Sequence, residues 1–131
     1  MMNNWSSILL VAFGGAIGSV SRYKLSGFIT QHYIQNAFPV GTFIVNLLGC
    51  MMIGILAGLG ERYQWLTSDL RLLLITGVLG GFTTFSAFSL ETFMLLRRGE
   101  WLLATGYVGL SVVLGMLLLW MGFICANQLF R

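Results

Sequence analysis

One stretch combines glycine, hydroxyl and aromatic residues within an otherwise aliphatic run: Gly77-Val78-Leu79-Gly80-Gly81-Phe82-Thr83-Thr84-Phe85-Ser86-Ala87-Phe88-Ser89-Leu90-Glu91. Each residue type suggests a different ion chemistry. Adjacent Gly80 and Gly81 followed by Thr83 and Thr84 weaken a helix, because glycine costs about 1 kcal/mol in a helix interior and threonine is a modest former. A helix that breaks there leaves backbone carbonyls unpaired, which is tolerated only where protein, water or an ion satisfies them. Freed carbonyls are hard oxygen ligands suited to a small alkali cation, while half-helix N-termini favour anions. Phe85 and Phe88 stand three apart and share a helix face. A phenyl ring is negative on its face and positive at its edge, so ring edges along a narrow path can solvate a small anion without a fixed positive charge. An anion held this way can also leave, as conduction requires. Ser86, Ser89, Thr83 and Thr84 add hydroxyl donors. The alternative is a straight helix with glycines for packing, hydroxyls bonded back to preceding carbonyls, and phenylalanines in the core.

Other polar residues lie in apolar surroundings. Asn46 sits between Val45 and Leu47 and either glues helices by hydrogen bonds or donates its amide to a passing anion. Tyr107, Ser111 and Gly115 recur every four residues on one helix face, so Tyr107 either presents a phenol donor or belongs to a packing stripe. Arg22 and Glu91 are the ionisable residues nearest membrane depth, where such residues are usually paired and functional. Arg22 either guards an anion vestibule or snorkels; Glu91 either pairs with it or organises the break. Cys50 and Cys125 are read as small packing residues; with no CxxC and no His/Cys cluster, they suggest neither metal nor redox chemistry. His32 reads as a solvated loop residue.

What must position these residues follows from composition. Only 8% of the 131 residues are charged, against roughly 25% in a soluble domain, and 57% are hydrophobic. This excludes a disordered chain, argues against a cytosolic enzyme, and leaves a small integral membrane protein of the all-α class. The basic residues are scattered in ones and twos, so no nucleic-acid partner is expected. No Lys or Arg precedes the first apolar run, so it reads as a retained span rather than a signal peptide; the Asn4-Trp5-Ser6 sequon against it is discounted. The charges divide the chain into four apolar blocks, predicting one transmembrane domain, 1–131, with spans at about 5–29, 39–60, 69–96 and 101–128. The third helix is expected to break near its middle. Pro39 suits a first helical turn, and Thr67-Ser68-Asp69 reads as a cap region. The fourth block, about 45 Å as helix, exceeds the hydrocarbon core and must tilt or emerge. Trp5, Tyr33, Tyr63, Trp65 and Trp101 fall at block ends, as interfacial aromatics do. Gly14/Gly18, Gly54/Gly58 and Gly77/Gly81 have the spacing that lets membrane helices approach closely, and four short helices bury little alone, so an oligomer is expected.

With four spans, Arg62, Arg71 and Arg131 lie on one side and Arg22, Lys24, Arg97 and Arg98 on the other. Orientation follows a clear excess of Lys and Arg, and none exists here. The expectation is insertion in both orientations, with opposed copies forming an antiparallel homodimer.

The runs GGAIGSVSRY at 14–23, PVGTFIVNLLGC at 39–50 and above all GGFTTFSAFSLE at 80–91 resemble the Fluc-type fluoride channels, the CrcB family, over essentially the whole chain. The resemblance implies a dual-topology homodimer with two anion pathways and a central structural sodium ion. It implies that Phe85 and Phe88 are the pore phenylalanines, that Asn46 is the pore-lining asparagine, and that the carbonyls of Gly80 and Thr83 from both subunits hold the sodium. Ser86, with Thr84, lies in the expected polar track, and Ala87 stands where members often carry a hydroxyl. Tyr107 and Ser111 match fourth-span pore residues, and Arg22 the vestibule arginine. The implied activity is passive fluoride export across the bacterial plasma (inner) membrane by a multi-pass protein, with fluoride and the lipid bilayer as partners. A small four-span multidrug exporter is a competing class, but it needs an acidic residue in its first span, and Trp5 to Ser21 has none. A non-transporting membrane subunit is the third class.

Overall fold

The computed structural model describes residues 4–33, 37–63 and 66–129. Trp65, Arg131 and part of the first polar connection lie outside them, as do the side chains of Tyr33, Arg62 and Tyr63. All regular structure among the described residues is helical. A chain this apolar must pair its backbone groups internally if it is to sit in lipid, and helices do so within one segment. Helix α1 spans Asn4–Tyr33 and α2 Val40–Tyr63. The third span begins with α3, residues 68–82, whose middle, Arg71–Leu79, is π-helical. Thr83 and Thr84 follow with extended dihedrals (φ −84°, ψ 157° and φ −151°, ψ 116°). Helix α4 then runs Phe85–Arg97, and α5 is Trp101–Leu129. Four stretches are long and apolar enough to cross a bilayer: Asn4–His32, Val40–Glu61, Ser68–Arg97 and Trp101–Gln128.

The helix ends follow from local chemistry. The Pro39 carbonyl accepts the Phe43 N–H, starting α2. Thr67 caps α3 twice, its hydroxyl accepting from Leu70 N–H and its carbonyl from Arg71 N–H. Between α4 and α5 the chain reverses at Gly99, in the left-handed region at φ 78°. Gly99 N–H bonds the Leu96 carbonyl and Glu100 N–H the Leu95 carbonyl, each at 3.0 Å. This pair closes the last carbonyls of a helix on a glycine. The Glu100 carbonyl accepts the Ala104 N–H, opening α5 at once.

Two helix pairs make the body: α1 lies along α3, and α2 along α5. Small residues permit both. A Cβ on Gly14 would stand 2.5 Å from the Leu73 carbonyl oxygen and 3.0 Å from Gly77 Cα; on Gly122 it would stand 2.5 Å from the Met51 carbonyl oxygen. Gly54 meets the Leu119 backbone and Gly58 that of Phe123. The glycine pairs singled out by spacing thus lie where backbones touch, the arrangement by which helices pack without a hydrophobic drive in lipid. A buried cluster forms where Leu95, Ala104 and Tyr107 meet, with Phe38, Phe43, Phe88 and Leu96 packed against them. The outward faces carry large apolar side chains such as Leu9, Phe13, Phe93, Leu102 and Met116, as suits contact with lipid or another subunit.

Candidate functional site

Most of the polar residues singled out in the sequence gather around Thr83 and Thr84. Thr83 ends the first half of the third span, its N–H and hydroxyl both donating to the Leu79 carbonyl at 2.9 Å. Thr84 caps the second half: its hydroxyl oxygen accepts the Ala87 N–H at 3.2 Å, as an N-cap threonine does. Asn46 reaches across from α2 and clasps the Thr84 peptide. Its Oδ1 accepts the Thr84 N–H at 2.9 Å and its Nδ2 donates to the Thr84 carbonyl at 3.1 Å. One amide thereby satisfies a donor and an acceptor of the extended backbone, leaving its second amide N–H for another acceptor.

Two cavities meet at Thr84. The larger, about 470 Å³, is lined by Asn46, Leu79, Gly80, Thr83, Thr84, Phe85, Phe88 and Ser111 with aliphatic neighbours. The second, about 420 Å³, is lined by Arg22, Tyr23, Ser26, Gly27, Thr30, Thr42, Thr84 and Ala87. Among the described residues, no Asp or Glu lines either one. Phe85 is 79% exposed in the single chain; Phe88 is half-buried, its ring centroid 5.8 Å from that of Phe85 and 5.0 Å from that of Tyr107. Ser86 is exposed, its hydroxyl 3.3 Å from that of Thr84. The Ser111 hydroxyl is buried without a hydrogen-bond partner, an unusual condition for a polar group.

The structure therefore brings Asn46, Thr83, Thr84, Phe85, Phe88, Ser111 and Gly80 to one cavity, with Ser86 beside Thr84. Arg22 lines the neighbouring cavity and donates its Nε–H to the Gly81 carbonyl at 3.1 Å. Tyr107 lies apart from both linings. It is fully buried and donates its hydroxyl to Glu91 Oε2 at 2.7 Å. The other carboxylate oxygen, Oε1, accepts the Thr42 hydroxyl at 2.6 Å. Arg22 and Glu91 thus have separate hydrogen-bond partners, because the helix packing places a backbone carbonyl at one and two hydroxyls at the other. Thr42 was not among the residues picked out by sequence. Its signal was available: it stands one helical turn before Asn46, on the same face of α2.

The family profile described as "CrcB-like protein, Camphor Resistance (CrcB)" matches residues 9–123. This chain belongs to the CrcB family. Within it, the fluoride-specific ion channel FluC of Methylobacillus flagellatus is 50% identical over 116 residues, covering 88% of this chain and 91% of that protein. The FluC protein of Flavobacterium psychrophilum is 43% identical over 123 residues, 94% and 98% of the two chains. That of Chloroflexus aurantiacus is 49% identical over 116 residues, 88% and 89%. These CrcB relatives are named as ion channels, not enzymes. With its four bilayer-length apolar helices, the chain is a multi-pass protein of the bacterial inner membrane.

Proposed function

We propose that this chain is a fluoride-selective passive channel that exports cytoplasmic fluoride, working as an antiparallel homodimer with two pathways and a central structural sodium ion. The observation that carries this reading is the cavity in which Asn46, Thr84, Ser111, Phe85 and Phe88 converge with no charged residue among the described lining, in a chain half identical to a protein named as a fluoride-specific channel.

Fluoride is small and strongly hydrated, and removing its water in apolar surroundings costs on the order of tens of kcal/mol. The path must return that energy through close donors. The arginine-lined cavity draws the anion in through Arg22, the one charge among the described residues of its lining. Thr84, shared by both cavities, marks the crossing. Beyond it, the remaining N–H of Asn46, the hydroxyls of Ser86 and Ser111 and the edges of Phe85 and Phe88 replace the lost water. Tyr107 acts from behind, holding the Phe88 ring and the Glu91 carboxylate. None of the groups beyond Thr84 carries a formal positive charge, so the ion is not trapped, and conduction needs binding weak enough to release. The absence of Asp and Glu from the described residues of both linings supports passive flow over proton-coupled pumping. Acidic surroundings drive neutral HF inward, where it ionises; a passive path then relieves the cell.

The near-balance of basic residues on the two sides supports insertion in both orientations, and the exposed Phe85 ring supports a second subunit completing each pathway. The donor set at Thr83 and Thr84 suits the sodium ion: a helix broken at these two residues presents the carbonyls of Gly80 and Thr83, hard oxygens at membrane depth that need a partner. Bound there, the cation would balance those carbonyls and tie the third spans of two subunits together. The reading is tested by reconstituting the protein in liposomes and following anion efflux with ion-selective electrodes. Fluoride is expected to leave rapidly and chloride to be retained; folded protein that passes no fluoride overturns it.

A further inference from the structure

Four carbonyls precede the point where the third span resumes, those of Gly80, Gly81, Phe82 and Thr83. In an uninterrupted helix they would accept from the N–H groups of Thr84, Phe85, Ser86 and Ala87. Two of these donors are diverted by side chains. The Thr84 N–H goes to Asn46 Oδ1 at 2.9 Å, and the Ala87 N–H goes to Thr84 Oγ1 at 3.2 Å. The extended dihedrals of Thr83 and Thr84 interrupt the helical pairing of all four carbonyls; at Gly80 and Thr83 a side chain also holds the N–H that would re-form the bond. Between them, the Gly81 carbonyl receives a substitute, the Arg22 Nε–H at 3.1 Å.

We propose that Asn46 and Thr84 are positioning residues for the cation: they divert two backbone N–H groups and so keep the Gly80 and Thr83 carbonyls open, while Arg22 closes the Gly81 carbonyl. This rests on the reading above that an alkali cation is held at these two carbonyls. A carbonyl left unpaired at membrane depth is costly, so the chain has a standing tendency to re-form its own helical bonds there. The Asn46 amide opposes this at Gly80, because its second contact, Nδ2 to the Thr84 carbonyl at 3.1 Å, locks the Thr84 peptide in its extended setting. The Thr84 hydroxyl opposes it at Thr83 by capping α4. The guanidinium at Gly81 both satisfies that oxygen and places a positive charge beside it, which repels a second cation from the wrong carbonyl. Asn46 thereby serves two ions, facing the anion cavity with one N–H and shaping the cation site with the rest of its amide.

The experiment uses the full-length protein in detergent. Its thermal unfolding is titrated with sodium, potassium or N-methylglucamine chloride at constant ionic strength, and the half-saturating sodium concentration is read. Asn46→Leu and Thr84→Val are near-isosteric and release the diverted N–H groups. Each is expected to raise that concentration at least about tenfold, whereas Thr84→Ser, which keeps the hydroxyl, stays within about twofold of wild type. The two diversions are independent, so either substitution alone carries the test if the other does not fold. A variant that melts lower but responds to the same sodium concentration as wild type shows a merely structural role and overturns the proposal, leaving the cation reading standing. A wild type whose unfolding is indifferent to sodium overturns the cation reading and this proposal with it.

Discussion

At the scale of single residues, the site separates groups that face the cavities from groups that hold them in place. Phe85 and Phe88 belong to the first kind. Replacing either with isoleucine keeps an apolar side chain but removes the ring edge. Phe85→Ile and Phe88→Ile are each expected to reduce fluoride efflux at least roughly tenfold, the consequence of about 1.4 kcal/mol lost from the barrier-crossing ion. Size-exclusion profiles should remain unchanged, since isoleucine keeps an apolar side chain at both positions. Tyr107 belongs to the second kind. Its hydroxyl and that of Thr42 donate to opposite oxygens of Glu91. Tyr107→Phe removes one donor from a partly buried carboxylate and should lower stability by about 1–3 kcal/mol, read from thermal unfolding in detergent. Glu91→Gln combined with Tyr107→Phe should cost less than the sum of the two single changes, because residues in one hydrogen-bond network do not add independently.

At the scale of elements, the joints are specific and so are their failures. The reversal between α4 and α5 depends on the left-handed backbone of Gly99. Any Cβ there costs roughly 1–2 kcal/mol, so Gly99→Ala is expected to lower the unfolding temperature although no atom lies within 4 Å of the added methyl. The opposite case is α1 against α3. A Cβ on Gly18 would collide with the Val78 backbone, and backbone cannot yield as a side-chain tip can. Gly18→Val is expected to abolish folded protein in size-exclusion chromatography, whereas Gly15→Ala, with nothing within 4 Å of its added Cβ, should leave the profile unchanged. The same helix length serves two ends: close packing through α3, and a cap at Thr84 that starts a fresh helix beside the cavities.

At the scale of the whole molecule, the proposed antiparallel assembly rests on the distribution of charge. Lys and Arg are nearly balanced between the two sides, so opposed insertion costs the chain little in either direction. Fusing a reporter to the C-terminus should detect it on both sides of the membrane. Adding three lysines beside Arg97 and Arg98 should shift the population to one orientation and suppress fluoride resistance when this variant is expressed alone. Co-expression with a variant biased the other way should restore it. A single uniform orientation of the unmodified chain would sink the antiparallel reading.

Much of this was legible in the sequence. Four apolar blocks bounded by charges specify four membrane-length helices, because a backbone in lipid can satisfy itself in few other ways. Thr67 and Pro39 mark helix starts through local chemistry that needs no distant partner. The cluster of glycine, threonine and phenylalanine at 80–88 drew attention as a combination open to both ion binding and packing, and Gly80, Thr83, Thr84, Phe85 and Phe88 line one cavity. What only the tertiary structure decided is which groups meet. Residues 71–79 contain nothing that excludes an ordinary α-helix, yet they take the wider π register against α1. Glu91 is paired with Thr42 and Tyr107, and Arg22 with a carbonyl 59 residues away, choices no local pattern encodes. Asn46 and Thr84 lie 38 residues apart. Their two-point contact exists because α2 passes the extended pair at hydrogen-bonding distance, and that distance is set by the packing of helices around them.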